Sequence, residues 1–144
     1  MANVIPDSFK TDLLKGTFNF DSSGGSTFKL ALYTDISGLT TSTTAFTTTN
    51  EVSTSGTSYS SGGNTLTNNG VAVSSNIAFV DFADLTFSSV TLSAVGALIY
   101  KSSSGNEAVL VLDFGGTKTA TNGDFVVQFP TASSSAAIIR LGNA

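Results

Sequence analysis

Between Leu85 and Phe129 apolar residues alternate with smaller or polar ones, the two-residue period of a strand with one face in a core and the other facing polar surroundings. Leu85, Phe87, Val90, Leu92, Val95, Ala97 and Ile99, then Val109, Val111 and Asp113, alternate with smaller or polar neighbours. Between Tyr100 and Glu107 lies Lys101-Ser102-Ser103-Ser104-Gly105-Asn106, a turn composition suited to an antiparallel hairpin. After Phe114, Gly115-Gly116 and then Asn122-Gly123 mark a second return, followed by a strand from Asp124 to Phe129. Three strands joined by short returns predict a meander forming the central sheet.

The preceding residues supply more strands and one helix. Pro6-Asp7-Ser8 opens a short helix with Asp7 or Ser8 as N-cap, Asp12 in the first turns, and Phe9, Leu13 and Leu14 at helical spacing. Gly16 is placed to end it after Lys15. Two to three turns do not stand alone in water, so Phe9 and Leu13 must dock, either on the end of the β-core or on an adjacent subunit. Thr17–Phe20 reads as a strand, 21–26 as a loop, and Thr27–Thr34 as a strand with Phe28, Leu30 and Leu32 on one face. Asp35 to Leu39 turns away.

Thr40 to Asn50 is ambiguous: threonine favours strands, but Phe46 is its only large apolar group and half a turn of helix fits as well. Its threonines do not form an ice-binding array, because the tract is short and no matching array repeats elsewhere. In Gly56-Thr57-Ser58-Tyr59-Ser60-Ser61-Gly62-Gly63, Tyr59 is the one aromatic and is expected to anchor an otherwise polar loop. Thr65–Val73 is a strand with a bulge or turn at Asn69-Gly70, 74–76 a turn, and Ile77–Phe82 a strand. Pro130–Ser135 is a loop, Ala136–Leu141 a last strand and 142–144 a short tail. Eight to ten strands spaced roughly ten residues apart, with one small helix, predict an all-β fold. The expectation is an antiparallel β-sandwich or jelly-roll-like domain over 1–144, with 1–16 as a helical N-terminal arm and 17–144 as the sandwich.

Composition narrows the function classes. There is no cysteine and no histidine, which removes thiolate metal sites, disulfides, the commonest general base and the usual pH switch near neutrality. Only six residues are Lys or Arg and the net charge is −4, which argues against phosphate-neutralising contact with nucleic acid. Charged residues make up 11% of the chain, and about three residues in ten are Ser or Thr. Such a surface is cheaper to desolvate than one of Lys and Glu, so it suits packing against neighbours. The first residues lack a basic and an apolar segment, so no secretory signal is expected, and no apolar run approaches a membrane span.

Asp81, Asp84 and Asp113 lie near strand ends and are the carboxylates that could meet on one rim. Paired carboxylates can hydrolyse glycosides or, with loop carbonyls, hold calcium. Against this, Asp81-x-x-Asp84 lacks the dense spacing of a calcium loop, and strand-end carboxylates usually satisfy turn amides. No Gly-x-Ser-x-Gly elbow is present, and none of the Gly-Gly pairs is followed by the Gly-Lys-Ser/Thr of a phosphate loop. Tyr33, Tyr59 and Tyr100 could stack on sugars, but core packing is the expected role. No catalytic, cofactor-binding or metal-binding residue is assigned.

Several pieces in order resemble a family of small virion structural proteins of tailed bacteriophages of aquatic bacteria. They are Phe9-Lys10-Thr11-Asp12-Leu13-Leu14-Lys15-Gly16, Phe28-Lys29-Leu30-Ala31-Leu32-Tyr33, and Asn50-Glu51-Val52 with the Gly56/Tyr59/Gly62-Gly63 loop. Leu85-Thr86-Phe87-Ser88-Ser89-Val90-Thr91-Leu92, Gly96-Ala97-Leu98-Ile99-Tyr100, Leu112-Asp113-Phe114-Gly115 and Gly123-Asp124-Phe125 follow. Phe87 and Phe129 stand where relatives often carry Trp. The resemblance implies a non-enzymatic capsid or tail component made in the host cytoplasm and carried in the virion. A decoration (cement) protein bound to the major capsid protein is the preferred assignment. It implies a homo-oligomer such as a trimer, with Met1–Lys15 or the tail after Ala136 as an arm along the shell. A tail, neck or fibre subunit and a carbohydrate-binding adsorption module are the alternatives.

Overall fold

A computed structural model describes residues 2–143; Met1 and Ala144, the outer ends of the expected arm and tail, lie outside the described residues. One helix, α1 (Asp7–Leu14), precedes seven strands: β1 (Phe28–Tyr33), β2 (Asn64–Thr65), β3 (Asn68–Ser74), β4 (Ile77–Phe82), β5 (Leu85–Lys101), β6 (Ala108–Val127) and β7 (Ile139–Leu141). They form two antiparallel sheets, ordered β2-β1-β5-β6 and β3-β4-β7. The fold is all-β with one short helix, and the two sheets enclose a sandwich-like core.

The expected three-strand meander is instead a single long hairpin. β5 has 17 residues and β6 has 20, paired from Leu85↔Val127 to Tyr100↔Ala108. Gly115-Gly116 and Asn122-Gly123 do not reverse the chain but bulge it. Ala94 faces Lys118 and Gly96 faces Asp113, so residues 114–117 stand opposite Val95 alone. Gly115 and Gly116 have φ of +72° and +142°, which a glycine adopts freely. These bulges also correct the phase of the sequence pattern. Phe87 and Val90 are three apart and would face opposite ways on a regular strand, yet both are buried in the main core. The extra residue at Ser88-Ser89, with Ser89 at φ +55°, turns the strand so that both point inward. Asn122, at φ +46°, does the same between Ala120 and Phe125.

Bending divides the hairpin. Its 96–101/108–113 half joins β1 in a sheet covered on both faces. On one face Phe28, Leu30 and Leu32, with Ala97, Ile99, Leu110 and Leu112, enter the main core. Ala31, Tyr33, Leu98, Tyr100 and Val111 face the other way into a second cluster with Ile36 and Leu39. The remaining half curves over the main core as a two-stranded ribbon. Phe28 and Phe82, 5.7 Å apart and edge-on, join the two sheets.

Thr17–Phe20 is extended but pairs with no strand. Asn19 turns the chain locally instead: its N–H donates to Ser26 Oγ (3.0 Å), its carbonyl accepts from Ser26 N–H (2.7 Å) and its Oδ1 from Asp21 N–H (2.9 Å). Phe18 and Phe20 are nevertheless buried, stacked with Phe9 and Phe28. Thr40–Asn50 is neither strand nor helix. Threonine hydroxyls cap its turns, as where Thr43 Oγ1 accepts from Thr40 N–H (2.8 Å), and Phe46 lies against Tyr100 at 4.7 Å. The segment is the lid on the second cluster.

Expected strand Thr65–Val73 is divided, because the chain crosses from one sheet to the other at Leu66-Thr67. The bulge at Asn69-Gly70 is present: Asn68 faces Phe82 and Val71 faces Val80. Ala136–Leu141 shortens to Ile139–Leu141, because the amides of Ala136 and Ala137 turn back onto the Ser133 carbonyl.

The helix begins one residue earlier than expected. Pro6, not Asp7 or Ser8, is the N-cap and no side chain caps it. Phe9 is 2% exposed and stacks on Phe18 at 4.9 Å, while Leu14 is 85% exposed. Upstream, Val4 pairs with Val111, Asn3 Oδ1 accepts from Asp113 N–H (2.8 Å), and Asp7 N–H donates to the Thr41 carbonyl (2.9 Å). Residues 3–14 are thus packed on the domain, and in this structure they do not extend from it as an arm.

Candidate functional site

Each of the three carboxylates singled out from the sequence is engaged with the backbone. Asp84 Oδ1 accepts from Phe129 N–H (2.8 Å) and Asp113 Oδ1 from Gly115 N–H (2.8 Å), the turn-amide role expected of strand ends. Asp81 Oδ1 accepts from Phe82 N–H (2.9 Å), while its Oδ2 has no hydrogen-bond partner among the described residues. Burial pushes the Asp81 carboxyl above the ordinary carboxylate range, and the nearby Asp84 charge adds a smaller push the same way. The Gly115 amide holds Asp113 below that range. Among the described residues no three acidic groups gather where a cation would sit.

Tyr59 is the anchor its loop requires, and its partner is a residue that the sequence reading gave no role. Its ring is 3% exposed; its hydroxyl accepts from Leu32 N–H (3.0 Å) and donates to Glu51 Oε1 (2.8 Å). Glu51 also takes Gly62 N–H on Oε1 (2.6 Å) and the Ser61 hydroxyl on Oε2 (2.8 Å). Tyr100 closes the loop from the other side by donating to the Gly62 carbonyl (2.7 Å). Gly63 fits only as glycine, since a Cβ there would lie 1.8 Å from the Leu30 carbonyl oxygen. Burial, with the Glu51 carboxylate nearby, pushes the Tyr33, Tyr59 and Tyr100 phenols above their usual range. Glu51 therefore closes a structural knot along β1 rather than serving a ligand. An acidic residue eight before a lone loop aromatic was the available signal.

The concavities are open. One trough of about 540 Å³ runs beside the bulged part of β6, lined by Phe114, Lys118, Asp124, Phe125 and Gln128. A second, of about 360 Å³, adjoins it between Asp113, Phe129, Pro130 and Arg140. Every Phe and Tyr is buried or half-buried, with Phe114, Phe125 and Phe129 among the trough linings.

Apolar side chains are also exposed away from these troughs. Val71 (55%) and Val73 (72%) on β3 and Leu141 (62%) on β7 are open to solvent. Between Asp35 and Asp81 the sole charged residue is Glu51, which is turned into the knot. The exposed residues of this stretch are therefore Ser, Thr, Asn, Gly, Ala and Val, without charge of their own. No described helix is long and apolar enough to cross a membrane. Comparison with protein-family models, curated proteins and solved structures finds no match.

Proposed function

We propose that this chain is a non-enzymatic structural subunit of a tailed-bacteriophage virion, a decoration protein that binds the outer surface of the head through the major capsid protein and stabilises the shell. The observation that carries the reading is the nearly charge-free stretch between Asp35 and Asp81, together with the valines it leaves exposed. A surface of hydroxyls, amides and methyl groups gives up little hydration free energy when covered, whereas a surface of Lys and Glu must be desolvated or paired. The ordered series of motifs that resembles small virion proteins supports the same class. Tail, neck or fibre attachment uses the same kind of surface. Sugar adsorption is less well supported, because every aromatic ring is buried or half-buried.

Co-sedimentation of the purified protein with undecorated heads and, separately, with tails tests the proposal. Binding to heads near the stoichiometry of the shell protein is expected. Binding to tails alone, or in a few copies per particle, moves the subunit to the tail or neck. Failure to bind either overturns the structural assignment.

A further inference from the structure

The free edge of β3 is built differently from the other sheet edges. In the larger sheet, β6 is closed by Val4, whose N–H and carbonyl exchange bonds with Val111 at 2.9 and 2.8 Å. Beyond β2, the edge of β1 is closed by Val52 N–H on the Leu32 carbonyl, by Tyr59 on Leu32 N–H and by the Asn50 carbonyl on Thr34 N–H. The outer edge of the ribbon is interrupted by bulges and carries Lys118 and Asp124. β7 is three residues long and carries Arg140. Short length, bulges, charge and covering segments are the devices that stop sheets from pairing edge to edge. Past its bulge at Asn69-Gly70, β3 from Val71 to Ser74 carries no charge, and no described backbone segment bonds to its outer edge.

Its register shows which groups are open. Ser75 and Asn76, at φ +52° and +64°, form the two-residue type I′ turn joining β3 to β4, and Ser74 faces Ile77 across it. That closing pair is hydrogen-bonded, so Ala72↔Phe79 is hydrogen-bonded too, and Val73↔Ala78 and Val71↔Val80 are the alternate, non-bonded pairs. The N–H and carbonyl groups of Val71 and Val73 therefore point away from β4. The same two residues carry the exposed valine side chains, which share one face of the sheet.

We propose that β3 pairs antiparallel with β3 of a second copy of this chain about a two-fold axis at Ala72. Val71 of each copy then stands opposite Val73 of the other. Both pairs exchange N–H···O bonds in each direction, and the four valines lie side by side on one face. Leu141–Ala78–Val73 is already a row across the small sheet, and pairing carries it into the partner. Charge selects the same place. Two copies of net charge −4 repel, and this edge lies within the uncharged stretch from Val52 to Val80. An extended, self-complementary, uncharged strand fits its own copy, with the small sheets merging into one of six strands.

The test uses the full chain alone, without virion parts, so its failure would leave the head-binding reading untouched. Light scattering on a sizing column and sedimentation equilibrium should give twice the 14.7 kDa chain mass. In the wild-type protein the Val71 and Val73 amides should exchange with solvent more slowly as concentration rises through the dimerisation range. Val73→Lys should return the mass to one chain with an unchanged circular dichroism spectrum. Leu14→Lys, at the equally exposed helix end, should leave the dimer intact. A wild-type protein of one chain mass at every soluble concentration, a three-chain mass, or a dimer that survives Val73→Lys with both amides freely exchanging overturns the proposal.

Discussion

Replacing Tyr59 by phenylalanine deletes one oxygen atom and keeps the ring, so the loss isolates the polar part of the knot. Two bonds go. Leu32, which has no exposed surface, loses the acceptor for its N–H, and Glu51 loses one of its three donors. A buried N–H left without a partner costs about 1–3 kcal/mol, and a hydrogen bond to a charged acceptor contributes about 1.5–3 kcal/mol. Because Glu51 keeps Gly62 and Ser61, the second loss is partial, and the sum is about 2–4 kcal/mol. Against a total stability of roughly 5–15 kcal/mol this is a large fraction. In a chain of this size it corresponds to a fall in Tm of roughly 10 °C. Tyr100→Phe provides the internal comparison. It frees the Gly62 carbonyl rather than a donor, and a carbonyl tolerates a missing partner better, so about 1 kcal/mol is expected. Urea unfolding should show both variants with lowered midpoints and unchanged slopes, Tyr59→Phe shifted more. Amide exchange at Leu32 should quicken in Tyr59→Phe alone. A Tyr59→Phe loss under about 0.5 kcal/mol, the scatter of ordinary surface substitutions, or the reverse order of the two variants, would refute the assignment of Tyr59 as the fastening of β1.

Two further outcomes follow from the helix and from Asp81. Phe9→Ala should destabilise by about 3–5 kcal/mol, because the ring is buried against Phe18 and Phe20, whereas Leu14→Ala, five residues on, should stay within about 0.5 kcal/mol. Equal losses in thermal unfolding would show that α1 does not belong to the core. Asp81 holds its proton to higher pH in the folded chain than its ordinary 3.8. Its contribution therefore favours folding below the unfolded value and is lost as pH rises through the folded one. Asp81→Asn should accordingly gain on the wild type as pH rises above the ordinary carboxylate range. Asp35, Glu107 and Asp113 titrate with the opposite sign but are common to both proteins. A stability difference that does not vary with pH would exclude a buried, proton-retaining Asp81.

Alternation, turn composition and the lack of helical periodicity determined the all-β class, the single short helix and the buried tyrosines, and marked Asn69-Gly70 as a bulge or a turn. These are local matters: a strand's period is two whatever it pairs with, and Asn-Gly relaxes φ wherever it stands. Local signals left open whether a glycine pair reverses a chain or only bends it. Gly115-Gly116 and Asn122-Gly123 have turn composition, yet the partner strand β5 runs on past them, so the ladder continues and the extra residues bulge out. Only the tertiary structure decided that Thr17–Phe20, although it alternates, has no strand to pair with. Only there did Glu51 meet Tyr59, because their encounter depends on how the 51–63 loop lies along β1. The sequence also shows that the β3 region carries no charge. Whether its valines were core or surface was not written in their spacing: that depended on what packs on the small sheet, which leaves Val71 and Val73 exposed.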